Sequence, residues 1–211
     1  MDFEAIHNYI EQFSSDENEL LAQINRETWL KVLNPRMVTG KVQGKFLQFI
    51  SQMSKPEYIL ELGTFTGYSA ICLASGLSAS GQLHTIEKND EVLLYARKNF
   101  DNAGFSGKIT SHHGNAIDII STLKYPWDIV FLDADKVNYL AYYKLLIEKL
   151  KPGALIIADN VLWNGKVLEE IEDKDEDTKA IQGFNEYVQA DKRVENVIIP
   201  LRDGLTLIRV L

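Results

Sequence analysis

Tyr58-Ile-Leu-Glu-Leu-Gly-Thr-Phe-Thr-Gly-Tyr-Ser-Ala-Ile71 is the stretch whose reading decides the fold. Tyr58 to Leu62 is a short apolar run suited to a buried strand. Gly63 and Gly67 punctuate a turn, and Tyr68 to Leu77 can continue as a helix. Strand, glycine turn and helix together make a cradle, because glycine lets backbone approach a ligand and helix N–H groups face it. The spacing is Gly-x-x-x-Gly after Glu61, not the Gly-x-Gly-x-x-Gly of a dinucleotide site. A phosphate is therefore not required, and a cofactor with a ribose and an amino-acid tail fits as well. The plain alternative is an ordinary strand-turn-helix of an α/β protein.

Working outward, short β-rich runs recur at Leu83 to Glu87, Lys108 to His112, Trp127 to Leu132 and Ala154 to Asp159. Helical patterns separate them at Asp90 to Asn102, Ala116 to Leu123 and Tyr139 to Leu150. This alternation predicts a doubly wound α/β fold on a mostly parallel sheet. Val194 to Pro200 and Leu205 to Val210 are joined by Leu201-Arg202-Asp203-Gly204, a hairpin signal. The expectation is seven strands in a Rossmann-like sheet that ends in an antiparallel hairpin. Before it, residues 2 to 33 read as two amphipathic helices. Phe3, Ile6, Ile10 and Phe13 recur at helical spacing, Ser15 or Asp16 can cap the second helix, and its stripe includes Leu20, Ile24 and Leu30. These helices either cover the domain or pair with a second copy. Residues 36 to 46 read as a linker, or as a lid, into a helix from Gln43 to Met53.

The 211 residues suit one domain, 1–211, with 1–50 as a helical cover and 51–211 as a cofactor-binding core. The net charge, 22 − 30 = −8, implies no general affinity for nucleic acid. The single cysteine, Cys72, rules out an internal disulfide and reads as packing. Met1 to Glu4 lack the basic start of a signal peptide, and no apolar run spans a bilayer, so a cytoplasmic protein without membrane contact is expected. Glu169 to Asp177, with seven acids and one lysine, reads as a solvated loop or helix start.

In such folds ligands sit beyond the carboxyl ends of the strands. The second strand ends at Glu87, 24 positions after Gly63, near the offset of an acid that takes ribose hydroxyls. Gly114 to Asp118, around Ala116, is a plausible floor for an adenine ring, or a simple helix start. The fourth strand ends Phe131-Leu-Asp133-Ala-Asp135-Lys136 and the fifth Ile157-Ala-Asp159-Asn160. Adjacent strand ends would gather Asp133, Asp159 and Asn160, hard oxygen ligands suited to magnesium, manganese or calcium. Helix capping by the same residues is the plain alternative. Lys136 beside a metal in a desolvated pocket can have its pKa lowered and act as a base. Trp163 and Asn164 follow the fifth strand and can line an aromatic pocket.

The runs from Phe131 to Tyr139 and from Asp159 to Gly165 strongly resemble the metal-dependent O-methyltransferases, which include the caffeoyl-coenzyme A and catechol enzymes. The turn from Glu61 to Ser69 and the ending Arg202-Asp-Gly-Leu205 match as well, so the resemblance covers about 35–211. It implies a class I S-adenosylmethionine fold. By position, Thr39, Glu61, Gly63, Ser69, Glu87, Ala116 and Asp135 would surround the cofactor. Asp133, Asp159 and Asn160 would hold the cation, magnesium first with manganese or calcium as options. Lys136 would be the catalytic base, aided by Asp133, with Asn164 and Trp163 touching a small phenolic acceptor. A homodimer is common in the family. The mammalian catechol enzymes have an acid where this chain has Thr206 and a tryptophan where it has Asp135, which sets the chain nearer the plant and bacterial branch. Three rivals remain open: methylation of 5-hydroxyuridine in transfer RNA, an NAD-dependent oxidoreductase, and a non-catalytic cofactor-binding module.

Overall fold

The computed structural model describes residues 3–211; the reading of Met1 and Asp2 lies outside them. Seven strands form one sheet in the order β3-β2-β1-β4-β5-β7-β6. They are β1 (Tyr58–Leu62), β2 (Gln82–Glu87), β3 (Ile109–His113), β4 (Ile129–Leu132), β5 (Leu155–Asp159), β6 (Val194–Ile199) and β7 (Leu205–Val210). The first five are mutually parallel, and β7 pairs antiparallel with both β5 and β6. The strand order reverses at β1, with β2 on one side and β4 on the other. That reversal opens a crevice beyond the strand tips.

Alternation along the strands divides the apolar core. Leu60, Leu62, Val130, Leu132, Ile156 and Ala158 pack in one cluster, with α6 (Ala116–Thr122), α7 (Tyr139–Ile147) and α8 (Glu176–Ala190). Ile59, Ile129, Phe131 and Ile157 pack in the other, with α2 (Glu19–Lys31), α3 (Lys41–Ser54), α4 (Tyr68–Ala74) and α5 (Asp90–Asn102). A strand covered on both faces needs a continuous apolar run, which is what β1, β4 and β5 carry. Each such buried Leu, Ile or Phe contributes about 1.5–3 kcal/mol.

Several expectations are corrected. The helix after the glycine turn stops at Ala74 rather than Leu77, and α7 stops at Ile147 rather than Leu150. Asn18, not Ser15 or Asp16, caps α2, by accepting from the Leu21 N–H at 2.9 Å. The buried face of α2 is Leu21, Ile24 and Thr28, while Leu30 is 70% exposed. The first helix, α1 (Phe3–Phe13), leaves Ile6, Ile10 and Phe13 exposed. The acidic run stays exposed up to α8, whose N-cap is Asp175. Of α8 the sequence reading had only the start, as one of two readings of the acidic run, and not its body, although Ile181, Phe184 and Val188 fall at helical spacing and are buried. Among the described residues no helix is long and apolar enough to cross a membrane.

Candidate active site

A cleft of about 900 Å³ opens over the tips of β1, β2, β4 and β5. Its lining includes Gly63, Glu87, Ala116, Asp133, Asp135 and Lys136. Asp159, Asn160, Trp163 and Asn164 complete the predicted residues that face it. Thr39, Glu61 and Ser69 do not line it; they are buried just behind.

Gly63 explains why the glycine turn belongs to this cleft. Its φ is +98°, and a Cβ there would lie 2.0 Å from the carbonyl oxygen of Asp133. Only glycine allows the β1 tip to sit this close to the β4 tip. The same junction is tied by the Asp133 N–H donating to the Leu62 carbonyl at 2.8 Å. Glu87, at the β2 tip, accepts from the Phe65 N–H at 2.9 Å and the Asn89 N–H at 3.0 Å. These bonds fix its carboxylate beside the glycine turn and leave further lone pairs free. Ala116 opens α6, whose Asn115 cap accepts from the Ile117 N–H at 2.8 Å.

Behind the turn, Glu61 is wholly buried. The Thr85 hydroxyl donates to its Oε2 at 2.5 Å, while its Oε1 has no partner. Burial pushes this carboxyl up to about 8, against the pull of the Thr85 hydrogen bond and the nearby Ser69 hydroxyl.

Lys136 is buried, 8% exposed, in a short 3-10 turn after β4. Its Nζ donates to Asp133 Oδ1 at 3.1 Å and to the Tyr139 hydroxyl at 2.7 Å. The Tyr139 hydroxyl also lies 3.0 Å from the carbonyl oxygens of Leu132 and Asp159, bridging the two strand tips. Burial and the neighbouring acids hold this phenol well above its ordinary pKa, so it stays protonated. Asp135 is engaged by the Tyr142 hydroxyl at 2.6 Å and by the Asn138 amide. Burial would raise its pKa, but these hydrogen bonds prevail and hold it below the usual carboxylate range.

Asp133 and Asp159 continue the alternation of Phe131 and Ile157, which puts both on the α3 and α4 side of the sheet. Burial raises both carboxyls, and the Asp133 charge raises Asp159 further. Lys136 opposes the shift at both, and Gln43 opposes it at Asp159. Among the described residues no group of three or more His, Cys, Asp or Glu side chains is gathered as for a metal ion. The donor set here is two acids and the Asn160 amide, with Asn160 in the left-handed region at φ 59°. Two desolvated carboxylates, each raised further by a neighbouring acid, are a fit for a divalent cation, which would relieve both.

Sequence reasoning missed several contributors. Arg202, in the β6–β7 turn, donates to the Val38 carbonyl at 3.0 Å and to the Thr39 carbonyl, strapping residues 36–39 beside the cleft. Arg36 and Met37 of that segment line it, as do Trp29 and Phe65. Gln43, Tyr139 and Tyr142 were also missed. Their signal was no more than an amide or a phenol inside a helical apolar pattern, which packing alone also produces.

Known proteins similar to this chain include solved structures of the same architecture. A family model described as O-methyltransferase matches residues 11–211. The chain belongs to the O-methyltransferase family. It is 36% identical to a catechol O-methyltransferase of Niastella koreensis, over 97% of this chain and 96% of that one. It is 34% identical to caffeoyl-CoA O-methyltransferase 1 of Eucalyptus globulus, over 82% of this chain and 74% of that protein. Among solved structures, the O-methyltransferase of Bacillus cereus in complex with SAH superposes with a TM-score of 0.90 at 30% identity, covering 98% and 97% of the two chains. TomG of Streptomyces achromogenes, solved with SAM, gives 0.91 at 29% identity, covering 100% and 99%. The doubly wound sheet with its antiparallel hairpin is thus the class I methyltransferase fold, and the protein is an O-methyltransferase.

Proposed function

We propose that this O-methyltransferase takes its methyl group from S-adenosylmethionine and, with a divalent cation, transfers it to one hydroxyl of a small vicinal-dihydroxy aromatic. The observation that carries this is the meeting of Asp133, Lys136, Asp159 and Asn160 on one cleft beside the Gly63 turn. The donor follows from the SAM and SAH held by the superposed enzymes. The likeness to a catechol and a caffeoyl-CoA O-methyltransferase supports the acceptor class.

In this reading Gly63, Glu87, Ala116 and Asp135 bound the donor's part of the cleft, with Thr39, Glu61 and Ser69 supporting it from behind. Asp133, Asp159 and Asn160 would hold the cation, magnesium by choice, and the chemistry it would supply there is a lowered pKa for a neighbouring acceptor hydroxyl. Lys136 Nζ receives the hydroxyl proton or steadies the oxyanion. The acceptor oxygen forms the new O–CH₃ bond as the donor's S–CH₃ bond breaks, so opposite charges cancel. Trp163, with Trp29 and Met37, walls the aromatic ring, and Asn164 lies beside it.

The test is methyl transfer to catechol- and caffeate-type phenols with magnesium and with chelator. Loss of activity on chelation and recovery with magnesium are expected; activity indifferent to chelator counts against the cation site. Unmodified transfer RNA belongs in the same screen. The cleft's charged lining is Glu87, Asp133, Asp135, Asp159, Asp177 and Asp203 against Arg36, Lys88, Lys136 and Arg202. That balance favours a small phenol over a polyanion. A homodimer is part of the same proposal, supported by the exposed Tyr9, Phe13 and Leu30 of the N-terminal helices. Light scattering at twice the 24.0 kDa chain mass is the expected result.

A further inference from the structure

Gln43 stands outside every role given so far. It lies in the first turn of α3, just after Gly40, and its side chain is wholly buried. Its Nε2 donates to Asp159 Oδ2 at 2.7 Å, across 116 positions of sequence. The Oε1 of the same amide has no partner. A buried polar atom left unpaired costs about 1–3 kcal/mol. A residue needed for packing alone would be better served by an apolar side chain of the same length. The amide is therefore retained for what its donor does.

What the donor does is restrain Asp159. The other carboxylate oxygen, Oδ1, accepts from the Asn160 N–H at 2.7 Å. Two donors on two different oxygens fix the plane of the carboxylate, where one would leave it free to turn. The Tyr139 hydroxyl meets the Asp159 carbonyl at 3.0 Å and holds the backbone of the same residue. Each oxygen still keeps a lone pair for a further partner, and Asp159 lines the cleft.

We infer that Gln43 is a positioning residue: it locks the Asp159 carboxylate in the orientation in which it receives a divalent cation. The inference rests on the cation site proposed above. Such outer partners orient ligands, and their loss typically weakens metal binding about 10–100-fold.

The test uses the full chain and Mn²⁺ followed by electron paramagnetic resonance, without donor or acceptor. Wild type is compared with Gln43→Met, which keeps the length and removes the amide. The Mn²⁺ dissociation constant is expected to rise at least about tenfold in the variant. Its melting temperature and its affinity for S-adenosylhomocysteine should stay close to wild type. Equal Mn²⁺ affinities overturn this inference and leave the proposed function standing. A wild-type protein that binds no Mn²⁺ overturns the cation site itself, and this inference with it. If Gln43→Met does not fold, the wild-type protein decides: the Gln43 side-chain ¹⁵N signal should shift on adding Mg²⁺, and an unmoved signal overturns the inference.

Discussion

Strand β4 carries an aspartate just before it and another just after it, and the two lead opposite lives. Asp128, at the amino end, is the better satisfied. Its Oδ2 accepts from the Glu57 N–H at 2.8 Å and the Tyr58 N–H at 2.9 Å, and its Oδ1 pairs with Lys151 at 2.6 Å. Burial would raise its pKa, but these partners outweigh it and hold the carboxyl low. Asp133, at the carboxyl end, has one cationic partner, Lys136, and the buried Asp159 near by. Burial leaves its carboxyl above the usual range. One acid is a staple that ties β1 to β4; the other lines the cleft with one cationic partner and a raised pKa. In the proposed function that difference, rather than acidity as such, separates a working carboxylate from a structural one.

The largest effect should come from Asp133→Asn. Its kcat/KM is expected to fall about 10³-fold, with a melting temperature lowered only modestly, because the amide removes a desolvated carboxylate but also takes the charge partner of the buried Lys136. An assay beside a thermal melt checks both halves, and a large loss of stability would erase the contrast with Asp128. Next, Lys136→Met should lower kcat at least about 10²-fold, the usual scale for a proton-transfer group. Steady-state kinetics with acceptor in excess reads it. The mirror image is Asp128→Ala: a loss of about 2 kcal/mol in urea unfolding, with turnover intact under native conditions.

Arg202→Ala releases the strap on the carbonyls of Val38 and Thr39. KM should rise roughly tenfold, about 1.4 kcal/mol, with kcat changing less. The smallest effect belongs to His84, away from the cleft. It is packed against Tyr125 and Trp127 at 4.4 Å and 5.6 Å between ring centroids, and bonded to His112 at 2.9 Å. Burial first, then the His112 charge, depresses it to about 4. Its folded pKa therefore lies below the unfolded value of about 6.5, so the unfolded chain binds the proton first. The stability it contributes is complete above pH ~6.5 and is lost as pH falls towards 4. Since the raised carboxyls of Glu61 and Asp159 act the other way over the same range, the readout is the difference between proteins: His84→Phe should change the pH 7 minus pH 5 stability, read by urea unfolding, by about 1–2 kcal/mol relative to wild type.

The strands β1, β4 and β5 were legible because double-sided burial demands short continuous apolar runs, and glycine, proline and asparagine mark their ends. The body of α8 was not, because seven acids crowd the approach to its apolar spacing and read equally as a solvated loop or a helix start. The true stripe of α2, on Leu21 rather than Leu20, depended on which face met the neighbouring helices. Of the candidate site, the residues at strand tips were readable, since topology alone sends them to one edge. Their supports were not. Gln43 reaches Asp159 over 116 positions, and Arg202 reaches Thr39 over 163.

The sequence alone determined the order of elements, the glycine turn, the hairpin and the edge at which the acids gather, because each follows from local periodicity and chain order. The tertiary structure decided which of those acids are satisfied and which are left wanting. Desolvation and hydrogen-bond partnership are properties of the packed neighbourhood, and no local pattern encodes them. That is why Asp128 and Asp133, five positions apart and flanking one strand, look alike in sequence and differ in the fold.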